Sequence, residues 1–283
     1  MNLKDLKQQF ISIINKDYDA EESTALFNLA AEHELKLRRS QLLMMHDQEV
    51  EQADVEQLLQ IAKEIANGRP LQYIFGETEF YRLKFQVNSD VLIPRPETEE
   101  LVHLIIQTIE GSVQSGLRLL DIGTGSGCIP ISIKHSLPDI EVSALDVSEP
   151  ALAVARSNAK LNKATITFIQ ADILTYQTEE VYDVIVSNPP YIKEDEKASM
   201  HQNVLSHEPY LALFVSNEDP LIFYKAIADF SQTHLSKEGI LFFEINEFLG
   251  SEMLNMLSSK DFRNIQVFKD MQGKDRMISC QYH

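Results

Sequence analysis

Tryptophan is absent from this chain of 283 residues, and cysteine is scarce, with only Cys128 and Cys280. Two thiols so far apart give neither a disulfide framework nor a metal-ligand spacing, which excludes a cross-linked secreted scaffold and a zinc module. They are expected to be buried, reduced thiols. Positive charge is also in short supply: 25 Lys and Arg stand against 43 Asp and Glu, a formal charge of −18. That balance argues against broad nucleic-acid binding, which needs a basic face. It leaves room for a local basic patch and suits a basic protein partner. No apolar run approaches the roughly 18 residues that span a bilayer. The start, Met1-Asn2-Leu3-Lys4-Asp5, carries an acid early and has no signal-peptide form. A cytoplasmic protein without membrane contact is therefore expected. The eight histidines are scattered at no metal-binding spacing, so no metal is expected.

What the chain does have is an ordinary globular balance, 44% hydrophobic and 24% charged, sufficient to bury a core. Its length fits one large domain plus a small one. Residues 1–68 read as a bundle of four or five helices. Leu3, Leu6, Phe10, Ile13 and Ile14 recur at helical spacing, as do Ala25, Leu26 and Leu29. Val55, Leu58, Leu59, Ala62, Ile65 and Ala66 form a third stripe, which Asn67-Gly68 stops in the manner of a C-cap. Across 69–95 aromatic and β-branched residues take over: Tyr73, Ile74, Phe75, Phe80, Tyr81, Phe85 and Val87. This segment reads as a β-hairpin linker. Pro96 then suits the first position of a helix whose first turn holds Glu97, Glu99 and Glu100.

Residues 96–283 read as one α/β domain. Apolar strands are predicted at 117–122, 140–145, 165–169, 182–186, 240–245, 265–268 and 277–280, with helices between most of them. That alternation indicates a doubly wound, mostly parallel sheet. The last two strands are close enough for one to be antiparallel.

Gly123-Thr124-Gly125-Ser126-Gly127 follows the first of these strands and precedes a helix. A glycine turn there lets backbone approach a ligand, and the helix start offers free N–H groups. A dinucleotide fingerprint would place its third glycine at 128, which is Cys128. The G-x-G-x-G form resembles instead the first motif of S-adenosylmethionine-dependent methyltransferases. Asp146 ends the second strand, where an acid can accept hydrogen bonds from both ribose hydroxyls. Asp172 ends the third, placed to accept from an adenine amino group, with Ile173 against the ring. All three positions lie at carboxyl ends of strands, where open α/β sheets bind ligands.

The fourth strand ends in Asn188-Pro189-Pro190-Tyr191. Two prolines cannot continue a central strand. They stiffen the backbone, remove two N–H donors and leave carbonyls free to accept. The Asn188 side-chain oxygen and the Pro189 carbonyl can then accept two hydrogen bonds from one NH₂ group, and Tyr191 can lie against a planar group. The lone pair of an amide or arylamine nitrogen is delocalised, so the nitrogen is a weak nucleophile. Holding both protons orients that lone pair toward an electrophilic methyl group, and the acceptors stabilise the charge that develops. Adenine, the guanine amino group and a glutamine amide would all fit; an amino methyltransferase of RNA or DNA stays open as the alternative, acting on a flipped base. A non-catalytic binding module would not need the paired acceptors.

Further motifs carry a whole-chain resemblance. Gly68-Arg69-Pro70-Leu71-Gln72-Tyr73-Ile74-Phe75-Gly76 and Val91-Leu92-Ile93-Pro94-Arg95-Pro96-Glu97-Thr98-Glu99 resemble the linker of the peptide chain release factor glutamine methyltransferases (the HemK/PrmC family). Leu120 to Gly127, Ser187 to Ile192, Glu208-Pro209, Ala212-Leu213 and Gly273-Lys274-Asp275-Arg276 match as well. The resemblance implies a class I S-adenosylmethionine-dependent methyltransferase, a Rossmann-like doubly wound sheet with an N-terminal helical bundle; the bundle and the hairpin are the expected docking surface for substrate. It implies S-adenosylmethionine as methyl donor, released as S-adenosylhomocysteine. The acceptor would be the glutamine amide in the Gly-Gly-Gln motif of bacterial release factors, a modification that tunes translation termination. Gly123 to Gly127, Asp146, Asp172, Ile173 and Asn188 would line the cofactor; Asn188 to Tyr191, with Arg95, would meet the glutamine. Where the family often carries a bulky aromatic, this chain has Ile173. Arg95 and Glu97 would either face the reaction site or form a linking ion pair, and Glu208 would either order the substrate loop or sit solvated.

Overall fold

A computed structural model describes residues 1–110, 116–199 and 202–282. The chain divides into two compact units, Met1–Gly76 together with a short later helix, and the rest from Glu77 onward.

The first unit holds α1 (Leu3–Ile14), α2 (Ala20–Leu35), α3 (Arg39–Met44), α4 (Gln52–Ala66) and α5 (Leu71–Phe75). Asn2 caps α1 by accepting from Asp5 N, and Asp19 caps α2 by accepting from Glu21 N and Glu22 N. Gly68, at φ +84°, ends α4. The stripe of Leu3, Leu6, Phe10 and Ile14 is buried with Val55, Leu58, Ile61, Ala62 and Ile65 in one core. Two expectations are corrected here. The buried face of α2 is Ser23, Phe27, Ala30 and Ala31; Leu29 is exposed. Tyr73, Ile74 and Phe75 begin no hairpin. They form α5, because the Pro70 carbonyl accepts from Tyr73 N and Ile74 N and closes a turn. Leu71 anchors that turn in the helical core, and Gly76 ends it at φ +70°. Tertiary burial overrides the strand preference of these residues.

The second unit opens with the hairpin β1 (Glu77–Phe80) and β2 (Leu83–Gln86). Its two turn residues, Tyr81 and Arg82, both take positive φ, as a tight hairpin matched to strand twist requires. There follow α6 (Pro96–Glu110), β3 (Arg118–Ile122), α7 (Cys128–Ser136), β4 (Glu141–Asp146), α8 (Glu149–Leu161), β5 (Thr167–Gln170), β6 (Tyr182–Ser187) and β7 (Ile192–Lys193). Then come α9 (Gln202–His207), α10 (Tyr210–Leu213), β8 (Phe214–Val215), α11 (Ile222–His234), β9 (Leu235–Glu244), α12 (Gly250–Ser259), β10 (Arg263–Lys269) and β11 (Asp275–Gln281). Helix α9 belongs to the first unit, where Asn203 donates to the Tyr18 hydroxyl at 2.7 Å.

The seven expected strands form one sheet in the order β10-β11-β9-β6-β3-β4-β5. It is parallel from β9 to β5, and β11 alone runs against its neighbours. Helices α6, α7 and α8 bury one face with Phe80 and Phe85 of the hairpin, and α11 and α12 bury the other. The chain runs outward from β3 through β4 to β5, then returns to β6 on the other side of β3. That reversal opens a crevice at the carboxyl ends of β3 and β6. Among the described residues no helix is long and apolar enough to cross a membrane. Cys128 and Cys280 are free and buried, and burial pushes both thiols up to about 12.

Candidate active site

Strand register assembles the site. Ile122 of β3 pairs with Ser187 of β6, and Ser187 Oγ donates to the Ile122 carbonyl at 2.6 Å. Gly123 and Asn188 therefore leave the sheet side by side. Ser187 also pairs with Phe243 of β9, which brings Glu244 level with Asn188.

The glycine turn is held from β4. Gly123 N and Thr124 N both donate to the Leu145 carbonyl, and Gly125 N donates to Asp146 Oδ2 at 2.8 Å. Asp146 Oδ1 accepts from Ser148 N at 2.9 Å, so the carboxylate is fixed and retains lone pairs on both oxygens. Burial raises the pKa of Asp146, opposed by these backbone donors. Gly123, Gly125 and Gly127 all have positive φ. Beneath the turn, Asp121 is fully buried and pushed up to about 7, chiefly by burial, with the Asp146 charge adding. The Thr124 hydroxyl interacts with Asp121 and opposes that rise, yet no well-formed hydrogen bond completes either side chain. Such groups cost free energy unless a ligand or water completes them.

A cavity of about 410 Å³ opens here, walled among others by Gly123, Gly125, Asp146, Asn188, Pro190 and Leu211. Thr124 and Ser126 are buried, as is Pro189, while Tyr191 is half-buried. The cavity wall does not include Asp172, Ile173, Arg95 or Tyr191. Asp172 is exposed and accepts from Leu174 N in a local turn, and Ile173 packs on the apolar core of α11 and α12. Arg95 donates to Glu208 at 2.6 Å; Glu208 is buried, so it is no solvated acid. A second cavity, of about 430 Å³, lies at the opposite, amino ends of β3 and β4 beside Arg118 and Glu141, which pair with each other. It carries none of the groups above.

Four residues at or beneath the site went unread in the sequence: Thr98, Glu244, Asn158 and Asp121. Thr98, in the first turn of α6, donates to Glu244 Oε2 at 2.7 Å and accepts from Asn188 Nδ2 at 3.4 Å. Burial lifts Glu244 to about 7, opposed by Thr98, Arg276 and Asn188. Arg276 is held by Asp270 at 3.1 Å. Burial first, with the charge of Glu244 adding, pushes the Tyr191 phenol up to about 12, so it stays protonated near neutrality. On the far side of the glycine turn, fully buried Asn158 accepts from Gln86 N and donates to the carbonyls of Gln86 and Ser126. The available signal for Asp121 and Glu244 was an acid embedded in an apolar strand run; Thr98 and Asn158 gave none. Among the described residues no group of three or more His, Cys, Asp and Glu could hold a metal ion.

The arrangement offers a nucleotide-sized crevice beside an acceptor-rich, donor-poor tetrapeptide. Comparison with known proteins agrees. Residues 100–210 match the methyltransferase small domain family, and residues 7–76 match the PrmC N-terminal domain family. A release factor glutamine methyltransferase of Flavobacterium psychrophilum is 43% identical over 286 residues, covering 100% of both chains. One of Bacteroides thetaiotaomicron is 47% identical over 218 residues, covering 76% of this chain and 77% of its own. Among solved structures, a 16S rRNA methyltransferase of T. thermophilus in complex with AdoMet and guanosine has a TM-score of 0.52. It is 17% identical over 73% of this chain and 50% of its own, a likeness of fold alone.

Proposed function

The chain belongs to the release factor glutamine methyltransferases, and from that premise we propose that it methylates the side-chain amide of the glutamine in the Gly-Gly-Gln motif of bacterial release factors. S-adenosylmethionine supplies the reaction with a methyl group on a positively charged sulfur. The residues present fit that donor: Gly123 and Gly125 line the cavity with bare backbone, and Asp146 beside them keeps acceptor lone pairs. Gly123 to Gly127 would hold its amino-acid end through backbone and Asp146 its ribose hydroxyls.

The observation that carries the assignment is the orientation of Asn188. Its NH₂ group donates toward Thr98, which leaves Oδ1 as an acceptor beside the cavity. Asn188 Oδ1 and the Pro189 carbonyl would hold the two protons of the glutamine NH₂ and aim its lone pair at the methyl group. The acceptors also stabilise positive charge growing on nitrogen, and the extra proton leaves readily afterwards, so no strong base is needed. Tyr191, protonated, would pack on the amide plane. Arg95 and Glu208 would hold the segment before α10, whose Leu211 borders the cavity. The first unit, with its exposed Leu43 and Met44, would dock the release factor.

Asn188→Ala tests this. Loss of one transition-state acceptor should lower kcat about 100- to 1,000-fold, while calorimetry still finds S-adenosylmethionine bound. Wild-type turnover in the variant would refute the assignment. Label transferred from S-adenosylmethionine to RNA or DNA, and not to a release factor, would favour the nucleic-acid alternative.

A further inference from the structure

We propose, building on the methyl transfer proposed above, that Thr98 and Glu244 are positioning residues that lock Asn188 in the flip that presents its oxygen to the substrate nitrogen. A hydroxyl has one proton and two lone pairs. Thr98 gives its proton to Glu244 Oε2, at 2.7 Å in a buried setting. Only lone pairs then face Asn188, so the Asn188 amide turns its NH₂ to Thr98 and its oxygen away. The direction of the chain is set at its far end, by an ionised Glu244 that can only accept.

Reversal of that end reverses the chain. A protonated Glu244 donates to Thr98, Thr98 then donates to Asn188, and the amide rotates to offer NH₂ to an incoming NH₂. Two donors facing each other cannot hold the nucleophile. The charged and titratable groups around Glu244 are Arg276, which favours its ionised form, and Glu97, which opposes it. Tyr191, Tyr224 and Cys128 also lie within its field. Tyr224 OH donates to the Glu244 backbone carbonyl at 3.0 Å and so fixes the strand without competing for the carboxylate. The register of Ser187 against Phe243 and the first turn of α6 bring the three side chains together.

Steady-state kinetics on the full chain, with an intact release factor and S-adenosylmethionine, test this from pH 6 to 9. Thr98→Val keeps the shape and removes the relay; kcat should fall about 10- to 100-fold, the cost of misplaced reacting groups, with calorimetric affinity for S-adenosylmethionine unchanged. Thr98→Ser restores the hydroxyl and should recover most of kcat. The wild-type kcat should rise with pH through a single inflection near neutrality, and Glu244→Gln should abolish that inflection. Thr98→Val at wild-type kcat overturns the role. So does an inflection that survives in Glu244→Gln, which would belong to Asp121. Should Thr98→Val fail to fold by circular dichroism, the Glu244→Gln profile decides. An inactive wild type refutes the methyl transfer itself, whereas an active wild type with indifferent variants refutes only the relay.

Discussion

Gly127→Ala should destabilise the protein by about 3 kcal/mol, and nearly all of that can be assigned from the glycine's surroundings. Gly127 caps α7 at φ +79° and ψ 13°, a left-handed conformation that costs an L residue about 1–2 kcal/mol. A Cβ there would lie 3.0 Å from Ile131 Cδ1, 3.2 Å from Ala155 Cβ and 3.4 Å from Ala155 Cα. The Ile131 methyl can rotate away. Ala155 cannot, because it has no rotamer to change and sits on α8, so α8 must move; such overpacking costs about 1–3 kcal/mol. Gly125 is the internal control. It too has positive φ, at 53°, but a Cβ there meets nothing within 4 Å, so Gly125→Ala should show only the backbone cost of about 1–2 kcal/mol. Urea denaturation followed by far-UV circular dichroism suits a chain without tryptophan. The midpoint should shift further for Gly127→Ala, with an unchanged slope. Because α8 follows Asp146, cofactor affinity should fall as well. Equal destabilisation by the two substitutions would refute the packing argument.

Asn158→Ala should cost about 3 kcal/mol, since Gln86 N and the carbonyls of Gln86 and Ser126 would each lose a buried partner worth about 1 kcal/mol; a loss below about 1 kcal/mol in the same denaturation assay would contradict this. Asp121 and Glu244 should make the ligand-free protein less stable as pH rises. Both are pushed up to about 7 from 3.8 and 4.5 by burial. Between about pH 4 and 7 the folded state holds protons that the unfolded state has released, so stability is highest below that window and falls as pH rises through it. Asp121→Asn should remove a share on the order of 4 kcal/mol at most. Melting temperatures from pH 4.5 to 8 should fall less steeply in the variant, and parallel curves would sink the idea.

By itself the sequence determined the parts. Strand–helix alternation defined the doubly wound sheet, because apolar runs of strand length must be buried on both faces. The glycine turn after β3 and the prolines after β6 marked the two ends of the chemistry, because few other residues tolerate those backbone geometries. The helical stripes of Leu3 to Ile14 and Val55 to Ile65 foretold a bundle. Tertiary structure decided what local pattern does not encode. Tyr73, Ile74 and Phe75 look like strand residues, yet a Pro70 cap and burial of Leu71 make them a helical turn. Thr98 lies on α6 and Glu244 at the end of β9, and only strand register joins them to Asn188. Arg95 and Glu208, left as two open readings, prove to be one ion pair, with Glu208 buried and Arg95 partly exposed. A hydrogen bond's direction is set by which partner holds the proton, and at Glu244 Thr98, Arg276 and Asn188 favour the ionised, accepting form against burial. The Asn188 motif announced an acceptor; its neighbours in space decide which of its two polar atoms faces the substrate.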